Sequence, residues 1–256
     1  MKLNIKTTFI TGASAGIGLA CAHKFAEYGS NLILIARRKD KLQQIAEEIK
    51  SRYSVDVIWS AIDIRKYEVI KEFYDNLPEN WKKIDVLINN AGKALGLNKI
   101  YEGDLADWEE MIDTNIKGLL YCSRVVIPGM VERNEGFIIN IGSLAGREVY
   151  PGGNVYCGTK SFVRAISKGM VIDLNGTNIR VTNIDPGLVE TEFSEVRFHG
   201  DKERASQVYK GYQPLTGDDI ADIAIFVVTR PMHVMIQDIF VTPTAQATAT
   251  IVSKKI

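Results

Sequence analysis

Short runs of apolar, mostly β-branched residues alternate along this chain with longer amphipathic stretches. In one such stretch, Arg38–Tyr53, apolar residues recur at helical spacing between charged ones. Because the short runs are apolar on both sides, they predict buried strands, and the alternation predicts a doubly wound, Rossmann-type α/β fold, a parallel sheet with helices on both faces. The predicted strands are Thr7–Thr11, Asn31–Ala36, Val55–Ala61, Asp85–Asn89, Gly136–Ile141, Asn178–Ile184 and, more weakly, Asp238–Thr242.

Composition indicates one domain with a small-molecule partner. No repeat, low-complexity tract or linker divides residues 1–256, so we predict a single domain. The 31 Lys and Arg balance 31 Asp and Glu, and a net charge of zero attracts neither a nucleic-acid backbone nor an anionic membrane. Cys21, Cys122 and Cys157 share no metal-ligand spacing, and the 3 histidines stand apart. We therefore expect neither a disulfide framework nor a metal site.

The amino-terminal segment resembles a secretory signal only superficially. Lys2 and Lys6 flank a mildly apolar region that ends in small residues, but glycines and serines interrupt it. No stretch elsewhere approaches the roughly 18 uninterrupted apolar residues of a membrane span. Together with the scarcity of cysteine, these features predict a cytoplasmic protein that does not enter a membrane.

The loop after the first predicted strand has the composition of a phosphate-binding turn and leads into a predicted helix. Gly12 permits a tight turn, Gly16 lets the backbone approach a pyrophosphate, and Gly18 lets the helix lie close to the strand. Since the N-terminus of this helix would face the anion, the loop predicts a dinucleotide site. Its expected contacts are Gly12, Ser14, Ala15, Gly16, Ile17 and Gly18.

The residues at the end of the second predicted strand select the dinucleotide. An acidic residue there would accept the ribose hydroxyls of NAD, but this chain has Arg37 and Arg38. Two cations at the start of a helix oppose its dipole by roughly 0.3–1 kcal/mol each, so their placement indicates an anion nearby. The 2′-phosphate of NADP is the simplest such anion, and NADP is the predicted cofactor. The alternative is a solvated helix start whose charge is softened by Asp40.

Two further motifs follow predicted strands. Asn89-Asn90-Ala91-Gly92 follows the fourth strand, and a segment from Pro186 to Thr191 follows the sixth. With the glycine spacing of the first loop, these motifs resemble the short-chain dehydrogenase/reductase family over roughly residues 7–191. The resemblance implies an adenine contact at Asp63, which could equally be a helix cap, and a nicotinamide contact after the sixth strand. The cofactor contacts expected here are Asp63, Ile64, Asn90, Ala91, Gly92, Pro186, Gly187, Val189 and Thr191.

Tyr156 and Lys160 lie one helical turn apart on the same face, with Ser143 upstream and Asn115 on an earlier helix. The resemblance implies that these four residues are catalytic and that Tyr156 and Lys160 also contact the cofactor. The phenol, with an unperturbed pKa of about 10, would be brought toward the working pH by Lys160 and an oxidised nicotinamide. Ser143 would bond the substrate oxygen, and Lys160 the nicotinamide ribose. Asn115 would hold a water that relays protons, or would simply bond the backbone.

The chain contains a second pair with the same spacing, Tyr67 and Lys71, also preceded by a serine, Ser54. The two sets differ in where the serine lies relative to a predicted strand. Ser54 precedes the third predicted strand, whereas Ser143 follows the fifth, and in an open parallel sheet the ligand lies beyond the carboxyl ends of the strands. We therefore predict that Tyr67 and Lys71 belong to a solvated helix face.

Residues 188–212 or so are polar and contain glycine, which predicts a lid over the substrate. With the residues around Ser143 and Tyr156, this segment resembles the branch of NADP-dependent 3-hydroxy acid dehydrogenases, which act on serine and L-allo-threonine. The branch implies hydride transfer at the 3-hydroxyl or 3-oxo group of a small acid, including 3-hydroxypropionate or 3-hydroxyisobutyrate. The alternatives are a 3-oxoacyl-carrier-protein reductase, a reductase of uncharged carbonyls and a non-enzymatic NADP-binding regulator.

A carboxylate substrate needs a cation close to Ser143 and Tyr156, because an unpaired buried carboxylate is very costly. Arg147 and Arg197 are the candidates for contacting the substrate, since guanidinium can bind a carboxylate with two hydrogen bonds. Each could equally pair with a glutamate at the surface.

Two predicted helices have more apolar surface than one sheet face can cover. Gly118–Val131 and Val155–Leu174 carry apolar residues around most of their circumference. In the family the corresponding helices pair across two-fold axes, so the resemblance implies a homotetramer.

Overall fold

The computed structural model describes residues 6–255; Met1–Ile5 and Ile256, which the single-domain prediction includes, lie outside this range. One sheet has the strand order β3-β2-β1-β4-β5-β6-β7, and every strand pairing is parallel. This confirms the predicted α/β fold. The strands are β1 (Thr7–Thr11), β2 (Asn31–Ala36), β3 (Val57–Ala61), β4 (Val86–Asn89), β5 (Gly136–Ile141), β6 (Ile179–Pro186) and β7 (Asp238–Val241).

Helices connect the strands and cover both faces of the sheet. A π-helical stretch, Asp113–Gly118, joins two of them, and the 3-10 turns Glu79–Trp81 and Leu144–Gly146 lie in loops. None of the helices within residues 6–255 has the length and apolar content that crossing a bilayer requires. The helices are α1 (Gly16–Glu27), α2 (Lys39–Arg52), α3 (Tyr67–Asp75), α4 (Leu105–Ile112), α5 (Leu119–Arg133), α6 (Asn154–Asp173), α7 (Phe193–Arg197), α8 (Lys202–Tyr209) and α9 (Gly217–Val228).

Alternating strand residues supply the two hydrophobic cores. Ile10 and Leu34 belong to the core on the face covered by α1, α2 and α9. Their neighbours Phe9 and Ile33 belong to the core on the opposite face, with α5 and α6. Because both faces are buried, all five residues of β1 are buried, which explains why the strands have no polar side in the sequence.

The strand bounds differ from the predicted ones where tertiary contacts decide pairing. β3 begins at Val57, two residues after the predicted start, because the N–H of Val55 bonds locally to Tyr53. β6 extends two residues beyond the predicted end, through Asp185 and Pro186, because these residues pair with β7. The chain therefore carries Asp185 to the carboxyl edge of the sheet, where the loops after the strands meet.

Candidate active site

The glycine loop between β1 and α1 has room for a ligand's phosphates. Gly12 has φ +67°, and a Cβ on it would lie 2.8 Å from the Cα of Ala91. A Cβ on Gly18 would lie 2.5 Å from the carbonyl oxygen of Gly12, so the helix and the loop pack too closely for a larger residue. At the start of α1, Ala15 offers no side-chain bond to the first N–H groups. Those donors and the helix dipole suit a pyrophosphate, so the loop fits the dinucleotide expected from the sequence.

Asn90, after β4, holds this loop in place. Its Nδ2 donates to the carbonyl oxygens of Thr11, at 2.9 Å, and Gly12, at 3.3 Å. In return the hydroxyl oxygen of Thr11 accepts from the backbone N–H groups of Asn90, at 3.0 Å, and Ala91, at 2.9 Å. The side chain of Asn90 therefore fastens the glycine loop to the neighbouring strand end.

A cleft of about 660 Å³ runs along the carboxyl ends of the strands. Of the predicted cofactor residues, Gly18 is not among the described residues that line it, because Gly18 packs beneath the loop. The cleft also exposes residues that the sequence analysis did not single out: Lys93, Tyr150, Glu192, Phe193 and Tyr209. The predicted residues that line it are Gly12, Ser14, Ala15, Gly16, Ile17, Arg37, Arg38, Asp63, Ile64, Asn90, Ala91, Gly92, Ser143, Tyr156, Lys160, Pro186, Gly187, Val189, Thr191 and Arg197.

Arg38 points across the mouth of the glycine loop. Its guanidinium donates to the hydroxyl of Ser14, at 3.0 Å and 3.1 Å, and to the Ser14 carbonyl oxygen, at 3.1 Å. It also bonds Glu192 of the predicted lid at 2.6 Å, and Lys41, one turn further along α2, bonds the other oxygen of Glu192 at 2.7 Å. Two cations thus converge on one carboxylate, and the Ser14 hydroxyl lies beside one of them, which together form a donor set that suits a phosphate. In the sequence, the spacing of Lys41 three residues after Arg38 at the start of a helix indicates that the two side chains lie on the same face.

Arg37 turns the other way, toward Glu110 of α4, at 3.3 Å. Glu110 also pairs with Arg65 at 3.5 Å and with the buried Lys93, and the hydrogen bond from Lys93 lowers the pKa of Glu110. Asp63 accepts from the side chain of Arg65 at 2.6 Å, and this bond lowers its pKa too. Asp63 lines the cleft and is not the cap of α3, whose N-cap is Lys66.

Ser143, Tyr156 and Lys160 meet at the other end of the cleft, between β5 and α6. Tyr156 and Lys160 are 7% and 5% exposed, and the Nζ of Lys160 donates to the carbonyl oxygen of Ile141 at 2.8 Å. The hydroxyl oxygen of Ser143 accepts from the N–H of Ala145 at 3.1 Å. This leaves the hydroxyl hydrogen of Ser143 free to donate to a ligand oxygen.

Burial controls the protonation of this group in the protein alone. It raises the pKa of Tyr156 well above its usual range, although a hydrogen bond with Ser143 and the charge of Arg197 oppose the shift. Burial also lowers the pKa of Lys160 to about 8, with the charge of Asp185 opposing it. The expected lowering of the Tyr156 pKa therefore does not come from the protein by itself, and the phenol of the protein alone is protonated at neutral pH.

Asn115 lies in the π-helical stretch, and its side-chain amide both accepts from and donates to the backbone of Lys93. Its Oδ1 accepts from the N–H of Lys93 at 2.8 Å, and its Nδ2 donates to the carbonyl oxygen of Lys93 at 2.8 Å and to Thr159 at 3.0 Å. The side chain thus ties the loop after β4 to α6. Asn115 is not among the described residues that line the cleft.

The second tyrosine–lysine pair lies on the surface, as predicted. Lys71 forms an ion pair with Asp75 on the same helix, and Tyr67 packs edge-on against Tyr121 with ring centroids 5.5 Å apart. Neither residue of this pair lines the cleft formed by the described residues.

Arg197, at the end of α7, lies over the phenol. Its guanidinium carbon is 5.6 Å from the centroid of the Tyr156 ring, and one nitrogen donates to the hydroxyl of Tyr150 at 2.9 Å. Within residues 6–255 it forms no ion pair with a carboxylate. The N–H of Gly96 bonds its carbonyl oxygen at 3.0 Å, which fixes α7 over the cleft.

Arg147, the other predicted substrate contact, points away from the cleft. Its Nε donates to Asp185 at 2.7 Å, another nitrogen bonds Asp238, and the guanidinium carbon lies 5.1 Å from the centroid of the Phe240 ring. Arg147 therefore forms ion pairs with two carboxylates inside the protein. It is not among the described residues that line the cleft.

The part of the chain that the structure describes contains no group of side chains that could bind a metal ion. No three His, Cys, Asp or Glu side chains of residues 6–255 come together as a metal site. Cys21, Cys122 and Cys157 are buried free thiols. Burial raises the pKa of Cys21 and of Cys122 to about 12, so these two are small packing residues rather than nucleophiles.

Comparison with known sequences gives the same family and cofactor as the motifs. Residues 6–202 match the family model described as short chain dehydrogenase. The NADP-dependent 3-hydroxy acid dehydrogenase YdfG of Salmonella typhi is 48% identical over 241 residues, 94% of this chain and 96% of that protein. The NADP-dependent 3-hydroxy acid dehydrogenase of Schizosaccharomyces pombe is 44% identical over 255 residues, 99% of this chain and 98% of that protein.

Solved structures with the same fold include complexes with NADP and with a derivative of it. The closed form of a serine dehydrogenase complexed with NADP+ superposes with a TM-score of 0.91 at 43% identity, covering 98% of this chain and all of that one (100%). An alcohol dehydrogenase from Thermococcus sibiricus complexed with 5-hydroxy-NADP has a TM-score of 0.82 at 27% identity, covering 94% of this chain and 97% of that one.

The geometry around Ser14 predicts that Arg38 discriminates NADP from NAD. Replacing Arg38 by Ser should weaken NADP binding by about 1.5–3 kcal/mol, because a charged hydrogen bond to phosphate is lost, while NAD binding changes little. Titration of protein fluorescence with each nucleotide measures the affinities for NADP and for NAD. The matched control is Arg52→Ser at the far end of α2. An equal loss of affinity for NADP and NAD would show that Arg38 does not read the 2′-phosphate.

Proposed function

Because the chain belongs to the short-chain dehydrogenase family and is an NADP-dependent oxidoreductase that acts on CH–OH groups, we propose that its substrate is a small 3-hydroxy acid. Serine, allo-threonine, 3-hydroxypropionate and 3-hydroxyisobutyrate are the substrates of this type. Relatives at 44% and 48% identity are named as 3-hydroxy acid dehydrogenases, and a neighbour at 43% identity is a serine dehydrogenase.

The observation that carries this proposal is the position of Arg197. A guanidinium lies 5.6 Å from the centroid of the Tyr156 ring, and no carboxylate of residues 6–255 pairs with it. A small acid whose hydroxyl reached Tyr156 would bring its own carboxylate to this cation. Arg147 does not share the role, because Asp185 and Asp238 already neutralise it.

In this proposal Tyr156 exchanges the proton and Ser143 orients the reacting oxygen. The raised pKa of Tyr156 keeps its phenol protonated, ready to donate to the alkoxide that forms during reduction. Oxidation uses the reverse transfer, which the charge of the neighbouring Lys160 favours. Ser143 donates its hydroxyl hydrogen to the same substrate oxygen, while its own oxygen accepts from the N–H of Ala145.

The residues along the cleft would hold NADP, which supplies or accepts the hydride when it is bound. The glycine loop would bind the pyrophosphate, and Arg38, Lys41 and Ser14 the 2′-phosphate. Asp63 and Ile64 would contact the adenine. Lys160 would hold the nicotinamide ribose, and the segment from Pro186 to Thr191 the carboxamide.

Asn115 supports the catalytic group through the backbone in this proposal. Its amide fixes Lys93 and Thr159, which places the loop after β4 beside Lys160. A water bound at the backbone of the π-helical stretch would relay protons from Lys160. Residues 188–212 would form the lid, and its helices α7 and α8 already line the cleft through Arg197 and Tyr209.

The catalytic role of Tyr156 predicts a large loss of turnover in Tyr156→Phe. Deleting the hydroxyl removes the proton donor, so the rate should fall by roughly 10²–10⁴-fold, whereas NADPH affinity should stay within about twofold. Steady-state assays measure the rate, and fluorescence titration measures the NADPH affinity. Tyr67→Phe is the control because that phenol lies outside the cleft. If Tyr67→Phe were the inactive variant, the assignment of the active site would be wrong.

A substrate panel tests the proposed function itself. NADP-linked activity should be highest with serine, allo-threonine, 3-hydroxypropionate or 3-hydroxyisobutyrate. It should be low with an acetoacetyl thioester and with an uncharged aldehyde of similar size. Arg197→Met should lower kcat/KM for the acids, with a loss of about 1.5–3 kcal/mol of transition-state stabilisation, and leave kcat/KM for the aldehyde unchanged. Arg204→Met, on α8, is the control.

Two outcomes of this panel would overturn the proposal. Preference for the thioester would indicate a 3-oxoacyl-carrier-protein reductase, and preference for the aldehyde a reductase of uncharged carbonyls. Equal losses on charged and uncharged substrates in Arg197→Met would show that this residue only shapes the lid.

Assembly into a homotetramer is a further part of the proposal. Val131 on α5 and Ile172 on α6 are exposed apolar residues, 46% and 63% respectively. Light scattering at micromolar concentration should give four chain masses, and Val131→Asp with Ile172→Asp should lower the mass. Val69→Asp on α3, a comparable exposed site, should leave it unchanged. A monomeric unmodified protein would contradict the prediction.

The cytoplasmic location inferred from the sequence stays a prediction alongside this function. It rests on the scarcity of cysteine and on the glycines and serines that interrupt the apolar amino-terminal segment. Cell fractionation with an antibody to the chain would test it.

A further inference from the structure

One fully buried carboxylate lies directly behind the catalytic group without a role in the proposed reaction. Asp185, near the end of β6, is 0% exposed. One of its oxygens accepts from the backbone N–H of Ser143 at 2.9 Å. A buried carboxylate is costly, so its contacts are expected to compensate for that cost or to serve a function.

The backbone before Ser143 is shaped to admit this carboxylate. A Cβ on Gly142 would lie 1.9 Å from the Oδ1 of Asp185, closer than any side chain could tolerate. The N–H of Gly142 also bonds the carbonyl oxygen of Ile184 at 2.7 Å. Glycine at this position therefore lets the strand end of β6 reach the N–H of Ser143 from behind.

Arg147 fixes the other oxygen of the same carboxylate. Its Nε donates to the Oδ2 of Asp185 at 2.7 Å, and the guanidinium is itself held by Asp238 and by the ring of Phe240. Burial raises the pKa of Asp185, and the charge of Arg147 opposes that shift. The carboxylate thus has one orientation, with Arg147 on one oxygen and Ser143 on the other.

We propose that Asp185, oriented by Arg147, is a positioning residue that holds Ser143 at the reacting oxygen. This role of Asp185 rests on the proposed role of Ser143 and is independent of which acid is the substrate. Ser143 has extended backbone, φ −173°, and its hydroxyl accepts from Ala145 two residues later. With its N–H held by Asp185, the residue is restrained at both its backbone and its side chain. These two restraints hold the Ser143 side chain in one position at the cleft, from which its hydroxyl can donate to the reacting oxygen.

A double-mutant cycle tests this proposal. Asp185→Asn should lower kcat by roughly ten- to hundredfold and leave the NADPH dissociation constant within about twofold, because Asp185 itself is not among the described residues that line the cleft. In a Ser143→Ala background the same change should cost less than about threefold, since no hydroxyl remains to be positioned. Asp238→Asn is the matched control: it removes the other carboxylate on Arg147 without touching Ser143, and kcat should change less than about threefold.

Three results would overturn the proposal. They are an equal loss in the presence and absence of the Ser143 hydroxyl, a parallel loss of NADPH affinity, and an equal loss in Asp238→Asn. Should Asp185→Asn fail to fold, as judged by circular dichroism, Arg147→Met leaves the carboxylate in place but frees it to turn. Its loss of kcat should be smaller, about three- to tenfold, and should likewise disappear in the Ser143→Ala background.

The measurement uses whichever substrate the unmodified protein turns over fastest, charged or uncharged. A substrate panel that favours uncharged carbonyls would therefore refute the 3-hydroxy acid proposal and still leave the cycle on Asp185 measurable. Conversely, additive losses in the cycle would refute the positioning role even if the acids proved to be the substrates.

Discussion

The cleft depends on how closely the loop after β1 approaches the end of β4. This is the place where the strand order reverses, so the chain departs to opposite sides and leaves an opening. Asn90 and Thr11 close the two ends of that opening with four mutual hydrogen bonds to backbone, at 2.9 Å to 3.3 Å. They satisfy one another's polar groups, so the backbone of Gly12 can lie against Ala91 with no side chain between them.

Charge in the cleft is organised by burial and by pairing across long sequence distances. At the nucleotide end, Glu192 of the lid bridges Arg38 and Lys41. At the substrate end, Arg197 of the same segment lies over Tyr156. The segment predicted to be a lid therefore contacts both ends of the cleft within a few residues of chain, through Glu192 and Arg197.

The two arginines expected near the substrate show how pairing decides a residue's role. Arg147 and Arg197 have the same chemistry, and the sequence made both of them candidates, Arg147 because it follows Ser143 and Arg197 because it lies in the predicted lid. Asp185 and Asp238 neutralise Arg147, 38 and 91 residues away, whereas Arg197 has no carboxylate partner among residues 6–255 and donates to the hydroxyl of Tyr150 and the carbonyl oxygen of Gly96. Nothing in the local sequence marks Asp185 as the partner, because β6 reaches that position only through its pairing with β7.

Features that depend on neighbouring residues were determined by the sequence alone. Strand and helix order, the glycine loop, and the turn that sets Tyr156 beside Lys160 follow from periodicity and spacing, which act over a few residues. The tertiary structure decided the rest: the bridge of Arg38 to Glu192, 154 residues away, the orientation of Arg147, and the raised pKa of Tyr156. These need groups from distant segments, or the exclusion of water around one particular side chain by the folded chain. Local periodicity indicates which strands and helix faces are buried, but the long-range partner of a polar side chain and its pKa have no local pattern in the sequence.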